Sequence, residues 1–153
     1  MIVRRMKLED LEQVCALENE TFSMPWSYQS ILDSLLVKDN IYLVAVENDS
    51  VIGYCGVWVI ANEGQINNIA VKKQNRNQGV GGKILQFLFQ EGRAKQIEQF
   101  TLEVRKSNEI AIKLYDKFGF VKVGIRPGFY EKPQEDAVIM TVITSRKEES
   151  ALI

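Results

Sequence analysis

Residues 74–85, QNRNQGVGGKIL, place Gly79, Gly81 and Gly82 beside Arg76 and Lys83, just where an apolar alternating run gives way to helical spacing. The start of a helix leaves up to four backbone N–H groups without partners and carries about half a positive charge. Glycines let an anion approach that backbone without a Cβ in the way, and Arg76 with the nearby Lys73 adds charge of the right sign. Such a turn suits a pyrophosphate. The Walker pattern G-x-x-x-x-G-K-[ST] fails here twice, at Asn77 and Ile84, and the dinucleotide pattern G-x-G-x-x-G fails at Ile84. What fits is R-x-x-G-x-G, read as Arg76, Gly79 and Gly81 with Gly82 added. On the turn alone, an ordinary glycine-rich loop with solvated charges stays open as the alternative.

The chain has no histidine, which excludes Ser-His-Asp and Cys-His chemistry and any histidine-ligated metal; a catalytic base would have to be a carboxylate, a tyrosine, a lysine or water. The two cysteines, Cys15 and Cys55, are isolated within apolar patterns with no CxxC spacing, and read as reduced, buried and structural. A net charge of −1 argues against general nucleic-acid binding. No apolar run reaches the roughly 18 residues of a membrane span, and the N-terminus turns to charge at once, so no signal peptide is expected and the protein is placed in the cytoplasm.

The elements that must hold the turn follow from periodicity. Strands are predicted at 2–6, 41–47, 51–61, 64–71, 100–105, 120–126 and 137–144, with ENDS closing a hairpin between the second and third. A helix over 8–22 would turn Leu8, Leu11, Val14, Cys15 and Leu17 inward. A second follows the Pro25 turn, capped by Ser27 and carrying Ile31, Leu32, Leu35 and Leu36. The turn opens a helix over 79–95, with Ile84, Leu85, Leu88 and Phe89 inward, and a last helix over 108–119 is capped by Asn108 and ended by Gly119. Together these make one mixed α/β domain over 1–145, with a polar tail, SRKEESALI, beyond it. In FTLEVR, alternation puts Phe100, Leu102 and Val104 on one face and Thr101, Glu103 and Arg105 on the other. By itself Glu103 reads equally well as a partner of Arg105.

The motifs MPWS, NNIAV, NQGVGGKIL, LEVRKSNEIAIKLYDKFGF and EDAVIM occur in that order. This arrangement, over roughly residues 2–144, resembles the GNAT acyl-CoA-dependent N-acetyltransferases. Within that family it is most similar to the bacterial enzymes that acetylate the N-terminal alanine of a small-subunit ribosomal protein. The resemblance implies a central mixed, mostly antiparallel sheet flanked by helices, and acetyl-CoA as co-substrate with no metal. It implies that the backbone of Ile69, Ala70 and Val71 pairs with the pantetheine arm. The turn of Arg76, Asn77, Gln78, Gly79, Val80, Gly81 and Gly82 would bind the pyrophosphate, and Asn108 would bond near the thioester. Glu103 would be the general base, directly or through water, and Tyr115 the general acid toward the departing thiolate. Tyr115 lies seven residues after Asn108, two helical turns on, so both can face one cleft; its alternative is a core tyrosine. The Val71 N–H is a candidate oxyanion donor.

An α-amine is the easier nucleophile. With a pKa near 7.8 it costs about 1 kcal/mol to deprotonate at pH 7, against about 4.6 kcal/mol for a lysine near 10.4. The acceptor, a protein N-terminus, would lie between segments 21–28 and 126–136. Trp26, Tyr28, Phe129 and Tyr130 would be its apolar walls, and Glu131, Glu135 and Asp136 would attract a basic peptide. A GNAT enzyme acting on lysine or a small amine, and a non-catalytic acyl-CoA-binding module, are the competing readings. Oligomeric state is not legible.

Overall fold

The computed structural model of the chain describes residues 1–144; the polar tail at 145–153 lies outside the described residues. In chain order the elements are β1 (Ile2–Arg5), a 3-10 turn (Leu8–Asp10), α1 (Leu11–Thr21), α2 (Tyr28–Leu35), β2 (Ile41–Glu47), β3 (Ser50–Ile60), β4 (Glu63–Val71), α3 (Val80–Ala94), β5 (Gln99–Arg105), α4 (Glu109–Lys117), β6 (Val121–Tyr130) and β7 (Glu135–Ile143). The seven strands form one sheet in the order β1-β2-β3-β4-β5-β7-β6. Every neighbouring pair is antiparallel except β4 and β5, which run parallel.

A buried core lies on each face. On one, Ile84, Leu85 and Leu88 of α3 pack with Leu43, Cys55, Phe100, Leu102 and Met140 of the sheet, and Tyr115 of α4 joins them. On the other, Leu11, Val14 and Leu17 of α1 and Ile31 of α2 cover Tyr42, Val44, Tyr54 and Ala70. The inward stripes expected of the helices are present except at Leu36, exposed at the end of α2, and at Leu8. Leu8 is exposed in the 3-10 turn, because Asp10 accepts from the Lys7 N–H at 2.8 Å and from Arg4 Nη1 at 2.7 Å and Nη2 at 3.0 Å, and so separates that turn from α1. Ser27 and Asn108 cap their helices as expected, accepting from the N–H groups of Ser30 at 3.1 Å and Ala111 at 3.2 Å.

The last hairpin is longer than its apolar pattern suggests. β6 continues to Tyr130 and β7 begins at Glu135, so most of segment 126–136 is irregular paired strand rather than loop. Its polar residues broke the alternation on which the sequence reading relied.

The parallel pairing of β4 and β5 runs from Glu63 opposite Gln99 to Ile66 opposite Leu102 and stops there. On its other side β4 keeps its pairing to β3 with a bulge: Val57 faces Ile66 and Gly56 faces Asn68, leaving Asn67 as the extra residue. A bulge bends its strand and raises its twist. Beyond Asn67, β4 therefore leaves β5, and the sheet opens in its middle.

Phe100 anchors the closed end of that opening. Its ring fills space left by two glycines: a Cβ on Gly64 of β4 would stand 2.6 Å from it, and one on Gly92 of α3 would stand 2.8 Å away. Phe100→Ala removes a fully buried ring at the junction of β4, β5 and α3. It should destabilise the protein by about 4 kcal/mol, read from the midpoint of chemical unfolding.

Candidate active site

The opening exposes main chain in the interior of a sheet. Lys72 donates its N–H to Ile52 O at 2.8 Å, which sets the ladder between β3 and β4. In an antiparallel ladder bonded and non-bonded pairs alternate, so the bonded pairs are Ile52/Lys72, Tyr54/Ala70 and Gly56/Asn68. Ile69 and Val71 fall at the other positions and direct their N–H and C=O groups away from β3, into the gap. Of the three residues expected to present backbone here, Ala70 does not: its main chain is spent on Tyr54 and its side chain lies in the α1 core. The Val71 carbonyl accepts from Arg76 Nε at 3.1 Å. Arg76 thus ties the end of β4 to the turn as well as supplying charge, and Val71 keeps its N–H facing the gap.

The turn sits at the mouth of the same gap. Asn77, with φ 63°, and Gly79, with φ 80°, take left-handed conformations before α3 starts at Val80. The first bond into the helix runs from the Lys83 N–H to Gly79 O at 3.1 Å. The N–H groups of Val80, Gly81 and Gly82 precede that ladder, and no side chain caps them. The three glycines have different tasks. A Cβ at Gly79 would meet open space, whereas one at Gly81 would stand 3.0 Å from Leu114 and one at Gly82 would stand 3.2 Å from Phe118. Gly79 supplies the backbone turn, and the other two let α4 lie close against α3.

Glu103 and Tyr115 lie on opposite faces of the sheet. Glu103 shares its face with Thr101 and Arg105, as the alternation indicated, but its partner is Arg126, whose Nε lies 3.3 Å from Oε1 as an ion pair. Its Oε2 is buried and without a hydrogen-bond partner. The expected pairing with Arg105 is absent because that guanidinium is engaged elsewhere. It donates to the carbonyls of Pro133 and Glu131, both at 2.9 Å, to Glu135 Oε1 at 3.3 Å and to Ser23 Oγ at 3.3 Å, and it lies 4.5 Å over the Tyr130 ring. Arg105 therefore joins segment 21–28 to the turn between β6 and β7, the two walls foreseen for an acceptor groove.

Tyr115 is buried on the α3 side, its ring edge-on to Phe120 at 5.7 Å. Burial pushes its phenol well above the ordinary tyrosine value, and Cys55 and Tyr130 push it the same way. Tyr130 is pushed up to about 12, first by burial and next by Glu103, with Arg105 opposing. Tyr130 is thus within electrostatic reach of both Glu103 and Tyr115, a position that its reading as an apolar wall did not foresee. Trp26 packs edge-on against Trp58 at 5.5 Å, and Tyr28 and Phe129 are exposed. Burial raises the Cys55 thiol, as it does that of the half-buried Cys15, so both are held as thiols. Asn108 spends its Oδ1 on the cap, leaving its amide nitrogen for a ligand.

A buried polar network escaped the sequence reading. Glu18 of α1, 1% exposed, accepts from the Tyr54 hydroxyl, from the Trp26 N–H at 2.9 Å and from Asn68 Nδ2 at 3.2 Å and 3.1 Å. The available signal was position: Glu18 follows Leu11 and Val14 by seven and four residues, on the apolar stripe.

The site is thus a mixed α/β sheet opened between two strands, with uncapped N–H groups of a helix start at the mouth of the opening. The profile of the acetyltransferase (GNAT) family matches residues 6–120, and the chain belongs to that family. A Bacillus subtilis protein provisionally named a [ribosomal protein bS18]-alanine N-acetyltransferase is 38% identical over 141 residues, 92% of this chain and 93% of that one. The [ribosomal protein bS18]-alanine N-acetyltransferase of Haemophilus ducreyi is 33% identical, over 88% and 94% of the two chains. The crystal structure of the ribosomal-protein-S18-alanine N-acetyltransferase from Escherichia coli superposes with a TM-score of 0.87 at 27% identity, covering 94% of this chain and 93% of that one.

A substitution at Gly81 would disturb Leu114, so Gly79 is the cleaner probe of the turn. Gly79→Asn and Gly79→Asp share one shape and differ by one negative charge. Gly79→Asp should bind coenzyme A at least tenfold more weakly than Gly79→Asn in calorimetry; equal affinities would move the diphosphate away from this helix start.

Proposed function

We propose that the protein transfers the acetyl group of acetyl-CoA to the free α-amine of a protein N-terminus, and that its acceptor is the alanine that begins ribosomal protein bS18. The observation that carries the reading is the gap between β4 and β5. It supports an extended ligand lying along Ile69 and Val71 as an added strand, with its diphosphate on the N–H groups from Asn77 to Gly82 beside Arg76, and with Asn108 near the thioester. Relatives that match nearly the whole chain bear the name of that reaction. The proposed ribosomal acceptor supports a cytoplasmic location; among the described residues no helix is long and apolar enough to cross a membrane.

The chemistry is direct attack. The lone pair of the neutral amine forms the new C–N bond at the thioester carbonyl, and the carbonyl pair moves onto oxygen, toward the Val71 N–H. When the tetrahedral centre collapses, the C–S bond breaks and its pair leaves on sulfur. Glu103, on the acceptor side, takes the amine proton directly or through a water. Tyr115, on the other side, donates a hydrogen bond to the sulfur. Full proton transfer from a tyrosine near 10 to a thiolate near 8.5 is already uphill by roughly 2 kcal/mol, and burial of Tyr115 makes it more so. The phenol thus acts as a fixed donor that stays protonated throughout the working range.

Two measurements follow. Tyr115→Phe should lower kcat by about a hundredfold while changing acetyl-CoA affinity less than threefold; unchanged turnover would remove Tyr115 from the chemistry. In the unaltered enzyme, kcat/KM should rise with pH up to about 8, as the acceptor α-amine loses its proton. It should show no fall from Tyr115 below about pH 10, because that group's folded-state pKa is raised rather than lowered. The function itself is tested by mass spectrometry of peptides bearing the bS18 N-terminus, free or blocked, after incubation with acetyl-CoA. An acetyl group on the free α-amine alone supports the proposal. Transfer to blocked peptides, or none at all, overturns it.

A further inference from the structure

Four side-chain polar atoms are buried with no hydrogen-bond partner among the described residues: the Tyr42 hydroxyl beneath α1, and Asn67 Nδ2, Asn68 Oδ1 and Glu103 Oε2. Buried polar atoms are rarely left so, and the last three belong to the residues that directly follow the final β4–β5 pair, Ile66 and Leu102. Ile66 is opposite Leu102, the last parallel pair, and both of those side chains enter the α3 core. Glu103, next after Leu102, therefore turns to the other face, and Asn67 is the extra residue of the bulge. Past that bulge Asn68 lies on the α1 side, where it meets Glu18.

The orientation of the Asn68 amide is fixed. Both oxygens of Glu18 face it, so the end turned toward Glu18 must be the NH2 donor. Its Oδ1 is left as an acceptor that nothing in the protein satisfies. Glu18 is held in turn by Tyr54 and by the Trp26 N–H of the acceptor-side segment. The buried carboxylate thus aims one amide oxygen.

We infer that Asn67, Asn68 and Glu103 form the subsite for the head of the acceptor, and that this subsite recognises an α-aminoacyl group, an amine with a carbonyl on the adjoining carbon. The inference rests on the α-amine reading above and names the residues that read it. Two acceptors, Asn68 Oδ1 and Glu103 Oε2, match the two N–H groups of a neutral amine and leave its lone pair free for attack. One donor, Asn67 Nδ2, matches the first carbonyl of the peptide. A lysine side chain or a simple alkylamine offers the N–H groups but has no carbonyl at that distance, so the donor at Asn67 would stay unpaired against it. Leaving a buried polar group unpaired is a strong basis for discrimination.

The test reads binding rather than turnover. A tripeptide beginning with alanine, and its isostere with an alkene in place of the first peptide bond, are titrated by calorimetry into protein saturated with coenzyme A, for the unaltered chain and for Asn67→Leu. The alkene should cost the unaltered protein about tenfold more affinity than it costs Asn67→Leu, while coenzyme A affinity is the same in both. An equal cost in the two proteins overturns the subsite, as does an unaltered protein that binds peptide and isostere alike or binds neither. If Asn67→Leu does not fold, as judged by circular dichroism, the same cycle is run with Asn67→Ala. A peptide that binds with the expected pattern but is never acetylated would overturn the transfer reaction and leave the subsite standing; an acetylated peptide with a flat cycle would do the reverse.

Discussion

The site depends on a pairing that the sheet gives up. After Ile66 and Leu102, β4 and β5 stop exchanging hydrogen bonds, and the bulge at Asn67 carries β4 away from its neighbour while β3 still holds its other side. Unpaired strand backbone is normally confined to the rim of a sheet, where water satisfies it. Here it lies in the middle, with a packed core on each face. Those cores make the opening sustainable: Phe100, seated against Gly64 and Gly92, holds the closed end of the V, and Arg76 clamps the far end of β4 through the Val71 carbonyl. The remaining main-chain groups of Ile69 and Val71 suit an extended ligand that completes the ladder.

A gap through a sheet also brings together groups that the sheet otherwise separates. Tyr115 belongs to the α3 side and Glu103 to the α1 side. In a continuous sheet a wall of backbone would stand between them. With the strands parted, a reacting carbon in the gap can have a carboxylate on one side and a phenol on the other, which is the arrangement needed for a proton to leave the nucleophile while charge builds on the leaving group. Tyr130, from the end of β6, is within electrostatic reach of both, and Arg105 braces it from above while fastening the two acceptor-side segments. Burial serves the same end. It raises Tyr115, keeping its phenol protonated, and it holds both cysteines as thiols.

The polar network under α1 extends this logic to the acceptor. Burying Glu18 without a neighbouring cation would be costly unless its oxygens were filled, and they are, by a hydroxyl, a main-chain N–H and an amide. The arrangement fixes the Asn68 side chain and links segment 21–28 to β4 through Glu18.

By itself the sequence determined whatever depends on local periodicity and local chemistry. The inward faces of α1, α2 and α3, the caps at Ser27 and Asn108, the αL break at Gly79 and the alternation that puts Glu103 opposite Leu102 are consequences of residues a few positions apart. The order of short motifs was enough to place the chain in its family. Only the tertiary structure decided which pairs of distant residues meet. Arg105, two residues from Glu103, turned to the β6–β7 turn because three main-chain and side-chain acceptors waited there, and Arg126 took its place. Gly81 and Gly82, read in the motif as ligand contacts, also make room for Leu114 and Phe118. Asn67 and Asn68 look alike in the strand pattern, and one extra residue in the ladder turns Asn68 toward Glu18. Spacing along a chain fixes direction within one element, but a bulge, a split or an ion pair is chosen by what the neighbouring elements present, and the sequence does not record those distances.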